Sequence, residues 1–379
     1  MCFRPILVCL VILLALCLPL MVMSQQKTAA APQKATAVAQ KAAAAPSGQI
    51  TPQMRKDLEA AIERGVVYLL KNQKTDGSWE NHSGISSLAA TAILKQPGGT
   101  HKQAPEVKTG LAYIVKQAKP DGRIYQSDHE NYNTAVAVMA LAAAGNPEYK
   151  TLIQKGQKYM TGIQIGADGK TPKTDKNYGG IGYNGEGRAD LPNLQYAMEA
   201  LKASGLPDSD PIWQRAVTFI QRVQNRSESN DQSYTGNDGG FSYGPGMGWQ
   251  GTGTNSYGSM TYAGLLSYSY TNVKKGDPRV EAAANWIKEH YTVDENPGVG
   301  QKTVYYYYMV FAKALKAYGD AVITDAKGLK HDWRSELGKK LLELQHPEGF
   351  WVNTEPAEWQ DNKVLVTAFT IIALENVLQ

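Results

Sequence analysis

From Thr51 onward two kinds of apolar segment alternate along the chain. One kind carries its apolar residues on a single face. In Arg64–Trp79, for example, Val66, Val67, Leu69 and Leu70 precede a polar turn, Lys74-Thr75-Asp76-Gly77, and then Trp79. Charged Arg55, Lys56, Glu59 and Glu63 occupy the other face of the same helix. The other kind is apolar or small over most of its circumference, as in Ser86–Leu94 (SSLAATAIL) and Asn133–Ala144 (NTAVAVMALAAA). A helix with one apolar stripe lies at the surface, and one apolar all round is buried. The pattern therefore predicts pairs of an outer and an inner helix.

Six such pairs are legible. The outer helices are expected at about 52–72, 105–117, 148–164, 211–224, 278–290 and 332–344. Thr51-Pro52, Asp210-Pro211 and Asp277-Pro278 each supply a cap followed by a first-turn proline. The inner helices are expected at about 86–94, 133–144, 192–204, 257–268, 303–318 and 364–378. Glycines at 145, 205 and 319 stop three of them. Turn glycines 77, 122, 169, 240, 298 and 349 mark the cycles at uneven intervals, which argues against a strict solenoid and for a closed ring. The fold expected is all-α, an (α/α)6 toroid of six inner and six outer helices.

The first 49 residues differ from the rest. Arg4 precedes a nearly continuous apolar run to Met23, which reads as a signal peptide over 1–24 or, uncleaved, as a membrane anchor. Residues 25–49 are rich in Ala, Pro, Gln and Lys and read as a disordered linker. The toroid domain then spans 50–379, and the protein is expected to be exported: periplasmic, secreted or membrane-anchored. Any membrane contact is expected through the N-terminal segment alone.

Charge and cysteine usage narrow the chemistry. Removing Arg4, Lys27, Lys34 and Lys41 leaves 35 basic and 35 acidic residues, so the domain is neutral and offers no general case for nucleic-acid binding. The three cysteines, Cys2, Cys9 and Cys17, all lie in the apolar leader. The domain then has no thiolate for zinc, a disulfide or a nucleophile. No metal and no cofactor is expected.

The spacing Gln73, Gly77, Trp79 recurs at Gln345, Gly349, Trp351, and Arg64-Gly65 and Tyr68 precede the first copy. This resembles the QW repeat of the prenyltransferase and squalene oxidase repeat family, which includes squalene-hopene cyclases and other terpenoid cyclases, protein prenyltransferase β subunits and thioester domains. The resemblance covers about 51–379 and implies the toroid, with the repeat stapling neighbouring helices. It does not carry over an activity. The D-x-D-D acid motif of the cyclases is missing; the nearest string, Asp208-Ser209-Asp210-Pro211, sits at an outer helix start and reads as a cap. The zinc ligands of the prenyltransferases and the thioester both need a cysteine.

The residues expected at the mouth of the toroid are those where each turn enters an inner helix. Asp128, His129 and Glu130 form the densest titratable cluster, suited to acid–base chemistry or a cation, or else a solvated loop with local caps. Also placed there are His82, Ser86, Tyr132, Asn133, Asp190, Asn193, Asn255, Tyr257, Tyr305, Tyr306 and Asp361. Tyrosines cluster on two inner helices, at 257, 262, 268 and 270 and at 305–308. Facing a cavity they would stack on a sugar, a peptide side chain or a polyene; otherwise they fill the core. The Gly-rich stretch 225–255 contains Trp249 and is long enough for a binding loop. The reading this supports is an exported toroid without the usual catalytic motifs. It would bind an apolar, glycan or peptide ligand, or an envelope protein, through its mouth. The alternatives are a divergent terpenoid cyclase or isomerase, and a polysaccharide-active enzyme using two facing carboxylates.

Overall fold

The structure is a computed structural model that describes residues 48–379, apart from 185, 186, 252 and 356. The expected signal and linker segments, 1–24 and nearly all of 25–49, lie outside the described residues. Among the described residues no helix is long and apolar enough to cross a membrane.

Twelve α-helices are found among the described residues. The outer ones are α1 (Pro52–Lys71), α3 (Pro105–Lys116), α5 (Lys150–Gly162), α7 (Pro211–Val223), α9 (Pro278–Glu289) and α11 (Trp333–Glu343). The inner ones are α2 (Ser83–Lys95), α4 (Glu130–Ala144), α6 (Leu191–Ala203), α8 (Gly258–Tyr270), α10 (Val304–Tyr318) and α12 (Lys363–Leu378). Each inner helix packs on the next, and α12 packs back on α2, so the inner ring is closed. The (α/α)6 toroid read from the sequence is therefore the fold. A two-stranded antiparallel ribbon, Ile323–Thr324 with Lys330–His331, lies between α10 and α11.

Sequence caps set the helix starts. The Thr51 hydroxyl accepts from Met54 N, and Asp210 and Asp277 accept from the amides two residues on. Asp210 is thus a helix cap, as its Asp-Pro setting predicted.

The repeated Gln-Gly-Trp spacing joins one outer helix to the next. Gln73 Nε2 donates to Gly77 O at 2.9 Å and to Glu106 O of α3 at 2.7 Å. Gln345 does the same to Gly349 O and to Ala61 O of α1, both at 2.9 Å, which closes the outer ring. Trp79 and Trp351 are fully buried, and each indole donates back to its own outer helix, to Leu69 O and Leu341 O, at 2.7 Å. Two copies without a tryptophan escaped the sequence pattern. Gln164 bridges Gly179 O and Ile212 O, and Gln224 bridges Gly239 O and Arg279 O.

Those bridges correct the turn register. Gly77 has φ +86°, and a Cβ there would stand 2.5 Å from Thr109 O of the next outer helix. The equivalent positions in the third and fourth cycles are Gly179 and Gly239, not the expected 169 and 240. Gly169 has open space around it, because two turns share that long connection and only the second meets the neighbouring helix.

Candidate functional site

The inner helices all enter the ring from the mouth, so their first turns converge there. Between them lies a cavity of about 320 Å³, within the ~300–1,000 Å³ usual for small-molecule sites. From α4 and α6 it receives Tyr132, Asn193 and Tyr196. From α8, α10 and α12 come Met260, Tyr306 and Phe369, with Tyr257, Thr303 and Gln360 at or before the helix starts. The loop after α7 adds Tyr243, Trp249 and Gln250. Tyr183, Arg188 and Glu358 form an exposed rim.

Ring contacts run around this space. Tyr132 meets Tyr196 edge to face at 5.1 Å, and Tyr196 lies 6.2 Å from Tyr306. Tyr306 in turn lies 6.1 Å from Phe369, and Trp249 stands perpendicular to Tyr257 at 5.8 Å. The Tyr306 hydroxyl is buried and meets no hydrogen-bond partner. The buried Tyr196 hydroxyl pairs with the Tyr132 phenol. Burial pushes the Tyr132, Tyr196 and Tyr306 phenols above their ordinary range, so all three are neutral near pH 7.

Asp190 is the buried carboxyl behind the cavity wall. It caps α6: Oδ1 accepts from Asn193 N at 2.9 Å, and Asn193 Nδ2 donates to both carboxyl oxygens at 3.0 Å. Burial pushes Asp190 up to about 6, while the hydrogen bonds from Asn193 and Tyr243 and the charge of Arg188 pull the other way. Its two oxygens are committed to this cap, and Asn193 stands between it and the cavity.

The loop 225–255 is tied down at its ends. Asn225 Nδ2 donates to Thr254 O at 2.7 Å and to Ser256 Oγ at 2.8 Å. Arg222 holds both oxygens of Asp231 at 2.7 and 2.6 Å. Gln250 sits at φ +52°, a left-handed conformation for a residue with a side chain, at the point where the loop turns over the mouth. Strain of this kind clusters at ligand clamps.

Of the residues named from sequence, Tyr132, Asn193, Trp249, Tyr257 and Tyr306 line this cavity. Of the four consecutive tyrosines only Tyr306 does; Tyr307 and Tyr308 donate to Thr292 O and Val293 O, and Tyr305 lines a separate groove of about 470 Å³ beside α11. Asn133 turns away, donating to Asp128 O at 2.7 Å. Asp128, His129 and Glu130 are not brought together. Glu130 faces outward to Arg123 at 2.8 Å, while Asp128 and His129 form an exposed pair at 3.0 Å. His129 reaches the rim only through its ring contact with Tyr183 at 4.6 Å. His82 is a helix cap whose Nδ1 accepts from Gly84 N and Ile85 N. Among the described residues no group of three His, Asp or Glu stands ready to hold a metal.

Sequence reasoning missed Tyr183, Arg188, Tyr196, Gln360 and Phe369. Tyr196 was within reach, since it lies three residues after Asn193 on the same helical face. The loop residues had no periodic signal.

Comparison with known proteins agrees with this architecture. The model of the squalene-hopene cyclase C-terminal domain matches residues 87–244. No curated protein matches the sequence. A variant of the type II terpene cyclase MstE from Scytonema, solved with geranylgeranyl dihydroxybenzoate, superposes with a TM-score of 0.54 at 14% identity; the alignment covers 86% of this chain and 99% of that one. A possible GH105 member from Salmonella enterica gives 0.54 at 9% identity, covering 86% and 94%. A family 88 glycosyl hydrolase from Bacteroides vulgatus gives 0.51 at 10% identity, covering 85% and 99%. At these identities the structures share the fold alone. The chain is an (α/α)6 toroid whose residues 87–244 are similar to the squalene-hopene cyclase C-terminal domain. Within that class its own marks are the phenol-lined mouth and the Asp190 cap.

Proposed function

We propose that the protein is an exported, non-cyclising member of this class that binds a small ligand in the aromatic mouth of the toroid. The observation that carries the reading is the buried, unpartnered phenol of Tyr306 on the wall of a cavity of about 320 Å³. A buried polar group without a partner costs roughly 1–3 kcal/mol. A ligand that pairs with it recovers that cost.

Protonation of an alkene would need a neutral acid with its O–H aimed into the cavity. Asp190 has both oxygens engaged by Asn193, and the one carboxylate among the described lining residues is exposed Glu358. That argues against a cyclase. It also leaves a glycosidase without a second facing carboxylate.

The test is a thermal-shift and tryptophan-fluorescence screen of the purified protein against terpenoid alcohols, glycans, short peptides and organic amines. Binding should be lost in Trp249→Ala and Tyr257→Leu while their circular dichroism stays unchanged. Conversion of geranylgeranyl or squalene substrates to cyclic products, abolished by Asp190→Asn, would overturn the proposal.

A further inference from the structure

We propose that the ligand of this cavity is a compact organic cation, an alkylated ammonium group, held against tyrosine faces. This rests on the ligand-binding reading above and names the class of ligand it takes.

The first argument is geometric. Tyr132 and Tyr196 stand at 88° to each other, and Trp249 and Tyr257 at 87°. In each pair the edge of one ring meets the face of the other, and all four rings line the cavity together with Tyr183, Tyr243 and Tyr306. A ring face carries the negative part of the aromatic quadrupole, and a cation within ~6 Å of it is attracted. The site already shows this contact once: the Arg188 guanidinium lies over the Tyr243 ring at 5.9 Å.

The second argument is the sign of the surrounding charge. Buried Asp190 faces Tyr183, Tyr243, Tyr257 and Tyr306, with Asn193 and Arg188 on its other sides, and it raises each of those four phenols. Glu358 adds negative charge at the rim. Below the cavity Glu199 is balanced by Lys313. The cation among the described lining residues is Arg188, and it is exposed. A carboxylate or phosphate entering the cavity would be repelled by the charge of Asp190 behind Asn193 and by Glu358 at the rim. A hydrocarbon would leave the Tyr306 oxygen unpaired. An ammonium group bearing methyls and a hydroxyl satisfies the ring faces, the charge and the orphan phenol together.

Calorimetric titration of the full chain decides it, with tetramethylammonium and choline as probes. The neutral isostere 3,3-dimethylbutan-1-ol and methyl β-glucoside are the controls. Choline should bind about tenfold or more tighter than its isostere, the increment of a desolvated cation–π site. Its affinity should rise severalfold from pH 5 to pH 7.5, as Asp190 ionises. Tyr257→Leu should weaken choline about tenfold and leave the isostere little changed, whereas Tyr257→Phe should retain choline binding. Equal or tighter binding of the isostere, or binding of the glucoside alone, overturns the cation and leaves the binding cavity standing. No binding by any of the four probes overturns the cation as well. If the wider screen is also blank, the ligand-binding reading falls with it.

Discussion

Lys313 of α10 reaches across the inner ring to Glu199 of α6, its Nζ 2.9 and 3.0 Å from the two carboxylate oxygens. Burial would raise the glutamate, but the lysine and its hydrogen bonds overcome that and hold Glu199 below the ordinary carboxylate range. Gln195 adds a third hydrogen bond at 3.0 Å. Removing one partner leaves a buried charge uncompensated, which costs roughly 3–5 kcal/mol. Lys313→Met should therefore destabilise the protein by about that much in urea unfolding. The double variant Glu199→Gln, Lys313→Met should recover most of it, because exchanging a buried pair for neutral groups is often close to neutral.

Asp190 makes stability depend on pH with a definite sign. Its folded value, about 6, lies above the ordinary 3.8. The folded state thus favours the protonated form. The stabilisation is complete below pH 4 and is lost as pH rises through 6. Two units correspond to about 3 kcal/mol. Between pH 4 and 7 the wild type should lose about 3 kcal/mol relative to Asp190→Asn, read from paired denaturation curves. An equal pH slope in both proteins would refute the assignment.

The turn register is open to direct test. Gly77→Ala forces a Cβ to 2.5 Å from Thr109 O at φ +86°, whereas Gly169→Ala at φ +71° meets open space. The left-handed backbone costs ~1–2 kcal/mol in either case. Overpacking adds ~1–3 kcal/mol at position 77 alone. Thermal melts should show Gly77→Ala well below Gly169→Ala.

Tyr306→Phe removes an unpartnered buried hydroxyl and keeps the ring. It should stabilise the unliganded protein by about 1 kcal/mol. That is a rise of roughly 2 °C in melting temperature for a domain of this size. A fall in melting temperature would mean that the hydroxyl is already satisfied. Stability gained where a binding group is lost is the expected mark of a functional site.

Much of the fold was legible in the chain because its signals are local. Thr51-Pro52, Asp210-Pro211 and Asp277-Pro278 fix helix starts within one turn of sequence, and the all-apolar surface of Asn133–Ala144 says it must be buried. The repeat was legible where a tryptophan marked it. At Gln164 and Gln224 the same amide bridge forms without the indole, and no spacing announced it. Asp128, His129 and Glu130 looked like a site because they are adjacent in sequence. Adjacent residues on a helix entry point in different directions, and Glu130 leaves for Arg123 on the outer side.

What the sequence determined by itself is the helix inventory, its division into inner and outer members, and so the closed ring, because amphipathic period and capping are written within single segments. What tertiary structure alone decided is the mouth. Tyr132, Tyr196 and Tyr306 come from three different inner helices and Tyr257 from the cap of a fourth, and they meet only because the ring closes with a particular rotation of each helix. That rotation is set by packing against two neighbours at once. Which of four consecutive tyrosines faces the cavity, and which carboxyl ends up buried beside it, are consequences of that packing, and no local pattern encodes them.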